Sequence, residues 1–192
     1  ALAVAEAADD VSTTPYLVKD PAAAARALAP LLGRDEGDVL ADLSRRDTGF
    51  VYLARALPAR KAEEIRTLGI EGIDLTPTQR RVYPRGYSAS QVLGFVNAAG
   101  QGASGLEYGL NSTLRGRDGI RRVVRDGVGD DITVRDLQPS EHGESVQLTI
   151  DANIQAETEK VLRGVGSTYR PKGATAIVTD PRTGEILAMA NW

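Results

Sequence analysis

Between Gly100 and Gly119 six of twenty residues are glycine. Glycine gives up helix and strand propensity in return for positive φ and close backbone approach. Such a run cannot be a long helix or a wide sheet; it suits a crossing of several chain segments. The segments on either side read as a succession of helices, strands and turns.

Those elements are legible from their punctuation. Val11–Val18 alternates loosely and reads as a strand. Asp20 before Pro21 is a helix start, because a side-chain acceptor precedes a proline whose missing N–H costs nothing there. The Ala-rich helix then runs to Leu32, with Gly33 as its stop. Asp35 caps a second helix carrying Val39, Leu40 and Leu43. Phe50–Leu57 reads as a strand with its register set by Phe50, Tyr52 and Ala54. Pro58–Leu68 is a third helix, ended by Gly69.

Short strand and turn pieces follow over Ile70–Leu75 and Arg80–Gly86, interrupted by Tyr83-Pro84. Ser88–Leu93 is a short helix. Leu106, Leu110 and Leu114 recur every four residues, as on one face of a single helix closed by Gly116 and Gly119. Ile120–Arg125 and Asp131–Leu137 form a hairpin around Asp126-Gly127. Gln138–Glu144 is a polar linker. Val146–Ile150 is predicted as a strand. Asp151 caps a helix whose buried side is expected to carry Ile154, Thr158, Val161 and Leu162, ending at Gly164 and Gly166. Ala174–Asp180 and Glu185–Asn191 make a hairpin across Pro181–Gly184. The fold class expected is α+β, with domains at 1–140 and 141–192.

Composition removes several chemistries. There is no cysteine and a single histidine, His142, so disulfides, thiolate catalysis and two-histidine metal sites are excluded. The net charge is −3, which gives no global field for nucleic acid. Arg115, Arg117, Arg121, Arg122 and Arg125 form only a local basic cluster, readable as a solvated strand edge or as a contact for an acidic partner or lipid head groups. Gly100, Gly102 and Gly105 spell a dinucleotide fingerprint, but no βαβ pattern surrounds them. Asp126, Asp130 and Asp131 lack the rest of a calcium loop. No cofactor and no metal is expected.

Three stretches occur in a familiar order. The first is Arg81-Val82-Tyr83-Pro84-Arg85-Gly86. The second is Gly102-Ala103-Ser104-Gly105-Leu106-Glu107, followed by Leu114-Arg115-Gly116-Arg117-Asp118-Gly119. The third is Leu148-Thr149-Ile150-Asp151 with Ile154-Gln155, followed by Asp180–Met189. Together they resemble class B penicillin-binding proteins, especially the division-type peptidoglycan D,D-transpeptidases. The resemblance implies a non-catalytic, elongated pedestal of small mixed sheets and helices, then the opening helix and β-hairpin of a transpeptidase domain. It implies an extracytoplasmic position, anchored by an N-terminal membrane helix outside this chain.

The motif residues Arg81, Tyr83, Pro84, Gly86, Gly102, Gly105, Leu106, Glu107, Gly116 and Gly119 are read as structural. Glu107 is expected in the first turn of its helix, where a carboxylate is favoured, and within reach of an arginine such as Arg81. No catalytic residue is assigned. The family's nucleophile is a serine with lysine three residues later, and none of Ser12, Ser44, Ser88, Ser90, Ser104, Ser112, Ser140, Ser145 and Ser167 has one. Arg182-Thr183-Gly184 imitates a later K-T-G motif but sits in a tight turn. The chain is thus expected to be inert and to reach the peptidoglycan stem peptide or β-lactams only through a catalytic domain beyond it. Expected partners are a cell-wall polymerase and membrane proteins of the divisome or elongasome. Self-association through the exposed edge of the last hairpin is also expected. A stand-alone extracytoplasmic protein-binding module is the alternative reading.

Overall fold

A computed structural model describes residues 1–125 and 131–192. The expected turn at Asp126-Gly127, and with it the Asp126 and Asp130 of the calcium-type cluster, lies outside the described residues. The chain forms seven short helices and three small sheets among the described residues, the α+β class expected. It divides into two compact units. One comprises Ala5–Arg80 with Gly119–Pro139; the other comprises Ala1–Val4, Arg81–Asp118 and Ser140–Trp192.

The first unit is organised by β1 (Val4–Thr13), which lies between β2 (Val51–Pro58) and β3 (Ile73–Val82). Being central, β1 buries Ala8, Asp9, Val11, Ser12 and Thr13 without alternation, while Ala5–Ala7 are exposed and give no period-2 signal. It therefore starts earlier than the Val11–Val18 strand read from the sequence. It also stops earlier, because Pro15 cannot join a ladder; Pro15–Leu17 is a 3₁₀ turn. Thr13 is satisfied in the interior by donating to the Gly72 carbonyl at 2.9 Å.

Helix α1 (Pro21–Leu32) is capped by Asp20, which accepts from the Ala23 N–H at 3.0 Å, and stops at Gly33 with φ 69°. Helix α2 (Glu36–Leu43) is capped by Asp35, and α3 (Ala59–Thr67) follows β2 directly. Val11, Leu28, Val39, Leu43, Leu53, Leu57 and Ile65 make the core.

Of the residues expected to set the register of β2, only Ala54 packs against the core. Leu53 and Leu57 are buried, while Phe50 and Tyr52 are exposed. The ladder is irregular twice: Asp9 pairs with Leu57, Val11 with Ala54 and Ser12 with Tyr52, so β2 carries an extra residue at each of two shifts. Ala56 sits at the first of them with φ 48°, and its N–H donates to Asp10 Oδ1 at 2.7 Å. The separate pieces expected around residues 70–86 are one strand, β3. It tolerates Pro77 because it lies at the edge of its sheet.

The same unit holds β4 (Ile120–Arg125) and β5 (Asp131–Gln138), an antiparallel two-stranded ribbon as expected.

The second unit contains α4 (Ser90–Leu93), α5 (Gly105–Gly109), α6 (Asn111–Leu114), α7 (Ala152–Tyr169) and the hairpin of β6 (Thr175–Thr179) with β7 (Ile186–Asn191). The single Leu106–Leu114 helix is in fact two, parted at Leu110, where φ is −110° and ψ 19° just after Gly109. Val146–Ile150 is not a strand: no ladder forms beside it. Thr149 Oγ1 instead donates to the Ile186 carbonyl at 2.7 Å, and the Asp151 N–H to that of Leu187 at 2.9 Å.

Helix α7 starts at Asp151 as predicted but runs through both glycines to Arg170, which takes φ 48°. Gly166 persists inside it because the Trp192 indole lies where a side chain would be. Its buried stripe is Gln155, Leu162 and Gly166, while Ile154 and Val161 are exposed. A polar residue on the buried stripe displaces the expected apolar one by about one position.

Candidate functional site

The site is a junction in the second unit, assembled from the end of β3, the glycine-rich loops and α5. The last residues of β3 deliver Arg81. The chain then turns through Tyr83-Pro84-Arg85-Gly86, closed by the Gly86 N–H donating to the Tyr83 carbonyl at 2.9 Å. Pro84 fixes the turn and Gly86 completes it at φ 60°.

Glu107 is 4% exposed, in the first turn of α5. Its carboxylate accepts from Arg81 Nε at 2.8 Å, the pairing considered from the sequence. The Tyr83 hydroxyl approaches the same oxygen at 3.5 Å. Partial burial, and then the Glu107 charge, push the Tyr83 hydroxyl above its usual range, while Arg81 opposes that shift. Tyr83 is therefore the neutral member of the group throughout the physiological range.

The glycines explain how a carboxylate becomes so enclosed. Val96 and Gly102 form an antiparallel bridge, and the Ala103 N–H donates to the Phe95 carbonyl at 2.8 Å. That small loop folds directly onto α5. A methyl group on Gly102 would overlap the Glu107 carbonyl, and the Gly102 N–H donates to Asn111 Oδ1 at 2.7 Å. Gly105 has φ 57°, and an added Cβ would lie 2.6 Å from both the Gly94 nitrogen and the Val92 carbonyl oxygen. The dinucleotide spelling thus has a packing origin: these glycines admit protein backbone.

The remaining motif residues are less intimate. Leu106 is half-buried beside Glu107. Gly116 abuts the backbone of Glu141–Gly143, where Arg117 and Glu141 exchange two hydrogen bonds of 2.9 Å. Gly119 is exposed and is not brought to the junction.

A second polar knot was not anticipated as such. Gln155 is fully buried on α7: Oε1 accepts from the Met189 N–H at 2.8 Å, while Nε2 donates to the Met189 carbonyl at 2.9 Å and to Glu159 at 2.7 Å. Glu159 also accepts from the Ala89 N–H at 2.7 Å. Gln91 donates to the same Met189 carbonyl at 2.9 Å. This knot ties α7 and β7 to the segment around α4. Its sequence signal was the spacing of Gln155 from Leu162, seven residues and two helical turns on the same face.

In the junction the Glu107 carboxylate is taken up by Arg81 and approached by the Tyr83 hydroxyl. Among the described residues no group of three or more His, Cys, Asp or Glu is placed to hold a metal. Nor does any helix among them have the length and apolarity to cross a membrane. What the junction does is fix backbone segments against one another. Removing one partner of a buried ion pair costs more than the pair's net stabilisation.

Comparison with known proteins identifies the family. Residues 1–148 match the penicillin-binding protein dimerisation domain. The chain is 34% identical over 158 residues to the probable peptidoglycan D,D-transpeptidase PenA of Neisseria meningitidis serogroup A, covering 80% of this chain and 27% of that protein. It is 34% identical over 145 residues to the peptidoglycan D,D-transpeptidase FtsI of Escherichia coli K12, covering 74% of this chain and 24% of that one. Among solved structures, penicillin-binding protein 2X of Streptococcus thermophilus is similar over 99% of this chain and 32% of its own, with TM-score 0.69 and 25% identity. The chain thus spans about a quarter to a third of such relatives.

Proposed function

The chain belongs to the penicillin-binding protein dimerisation-domain family, and from that membership we propose that it is the non-catalytic positioning part of a peptidoglycan D,D-transpeptidase. The whole protein would cross-link peptidoglycan in septal or lateral wall synthesis at the outer face of the cytoplasmic membrane. Residues 1–140 act as the pedestal and 141–192 open the transpeptidase domain, with the polar linker between them. The catalytic serine and the sites for stem peptide and β-lactam belong to that domain and not to this chain. The pedestal docks the cell-wall polymerase and other membrane proteins of the machinery, and the free edge of β6–β7 offers a route to self-association.

One observation carries the reading: the buried Glu107–Arg81 pair, held at 2.8 Å inside a glycine-built junction. Such a device suits a mount. The knot at Gln155, Glu159 and Met189 suits the same role, since it fastens the first helix and hairpin of the proposed transpeptidase segment.

The test uses the full-length protein and the 192-residue chain side by side. The full-length protein should be acylated by a fluorescent penicillin and the chain alone should not. Glu107→Ala should leave acylation by small β-lactams within about threefold, while lowering cross-linking of polymerised substrate and retention of the polymerase in a pull-down. Acylation of the chain alone, or unchanged cross-linking and retention, would remove the positioning role.

A further inference from the structure

The β4–β5 ribbon is the part of the molecule whose present surroundings do not account for its composition. Every described residue from Arg117 to Gln147 is exposed. A two-stranded ribbon with no layer packed on it is marginal in water. Its register runs Arg121↔Asp136, Arg122↔Arg135, Val123↔Val134 and Val124↔Thr133. Side chains alternate between faces, and cross-strand partners share one. One face therefore carries the Arg121–Asp136 ion pair, at 2.6 Å, and the Val123–Val134 pair. The other carries Arg122 and Arg135 directly opposite each other, beside Val124 and Thr133.

Arg115, Arg117 and Arg121 each have a carboxylate partner. Arg122 and Arg135 have none among the described residues. Like charges in directly opposite positions destabilise a ladder. The ribbon thus keeps a destabilising cationic pair on one face and an uncovered apolar pair on the other. Both strands also present a free edge among the described residues, since this sheet has only two strands.

We propose that the ribbon receives an extended segment of a partner protein as a third strand, in which carboxylate and apolar side chains alternate. Carboxylates on one side of that strand neutralise Arg122 and Arg135, while apolar side chains on the other extend the Val123–Val134 layer. Main-chain hydrogen bonds to the ribbon edge supply the affinity and the alternation supplies the specificity. A flat anionic surface would neutralise the arginines and leave the apolar pair uncovered, so it fits the two faces less well. Regular pairing over residues 121–124 and 133–136, bounded by a bulge at each end, limits the added strand to a short segment. This inference rests on the docking role proposed above and gives one docked partner its chemistry.

The test offers the full-length protein an eight-residue synthetic peptide of alternating Glu and Val, its Lys/Val counterpart, and phosphatidylglycerol vesicles. Binding is read by fluorescence anisotropy and by backbone amide exchange across residues 121–124 and 133–136. The Glu/Val peptide should bind and slow exchange there. The double substitution Arg122→Gln with Arg135→Gln should weaken it about tenfold, the size of a lost charge-assisted contact. Arg26→Gln with Arg60→Gln, the same change in net charge elsewhere, should not. No binding at millimolar peptide, equal binding of the Lys/Val peptide, or an unaffected Arg122/Arg135 variant would overturn the proposal. So would arginine-dependent binding to vesicles alone, which would assign the face to a lipid surface. If the Arg122/Arg135 variant binds the peptide normally while Glu107→Ala still impairs cross-linking, the ribbon inference fails and the positioning role stands.

Discussion

The residue that concentrates the physics of this protein is Glu107. A carboxylate 4% exposed is tolerable only with its cation in place. Arg81 keeps the contact from the edge of a strand while the surrounding glycines remove every side chain that would hold the backbone apart. Glu107→Ala should destabilise the protein by about 3 kcal/mol, because it strands a half-buried guanidinium. A double-mutant cycle with Arg81→Ala, read from urea midpoints, should return a coupling of about 1–2 kcal/mol. Additive single effects would mean that the pair is incidental to the junction. The sequence made this pairing thinkable, since an acidic residue follows Ser104-Gly105-Leu106 and an arginine precedes Tyr83-Pro84. It held no sign that Glu107 rather than Leu106, Leu110 or Leu114 would be the buried side chain, because the turn at Leu110 breaks the face those leucines were to share.

At the scale of elements, caps were legible and faces were not. Asp20, Asp35 and Asp151 all cap the helices that follow them. A cap is a local exchange between a side chain and backbone groups two or three residues on, so nothing distant has to be known. Asp151 also makes a pH prediction. Hydrogen bonds from the Ile154 and then the Asn153 N–H hold its carboxyl below the usual carboxylate range. A depressed folded-state value means the capping stabilisation is present above the unfolded carboxylate's titration, near pH 4, and is lost as pH falls through the folded value. Helicity followed by circular dichroism from pH 5 to pH 2 should therefore fall, and Asp151→Ala should remove the part of that fall belonging to α7. An identical acid profile in the variant would exclude the cap as its source. By contrast, the inward faces of β2 and α7 were misread. Two register shifts against β1, one of them beside Ala56, break the alternation of the first. In the other, Gln155 is a buried polar residue made tolerable by Met189, thirty-four positions away, together with Glu159.

For the whole molecule, burial is uneven, and this has a measurable consequence. Amides of β1 and α1, which surround Val11, Ala25 and Leu28, should exchange most slowly under native conditions. Those of residues 120–124 and 132–138 should exchange fastest, since no layer covers the ribbon. Protection of the ribbon equal to that of β1 in the protein alone would contradict its exposure. The helix starts at Asp20, Asp35 and Asp151, the stop at Gly33, the two hairpins and the family's three ordered motifs were written in the chain itself, because each depends on neighbouring residues alone. Strand continuity through Pro77, the split at Leu110, the side of β2 that faces the core and the burial of Glu107 and Gln155 were decided only by the folded molecule. Each depends on which distant backbone comes alongside, and a buried polar group is admissible or forbidden according to a partner that sequence distance does not reveal.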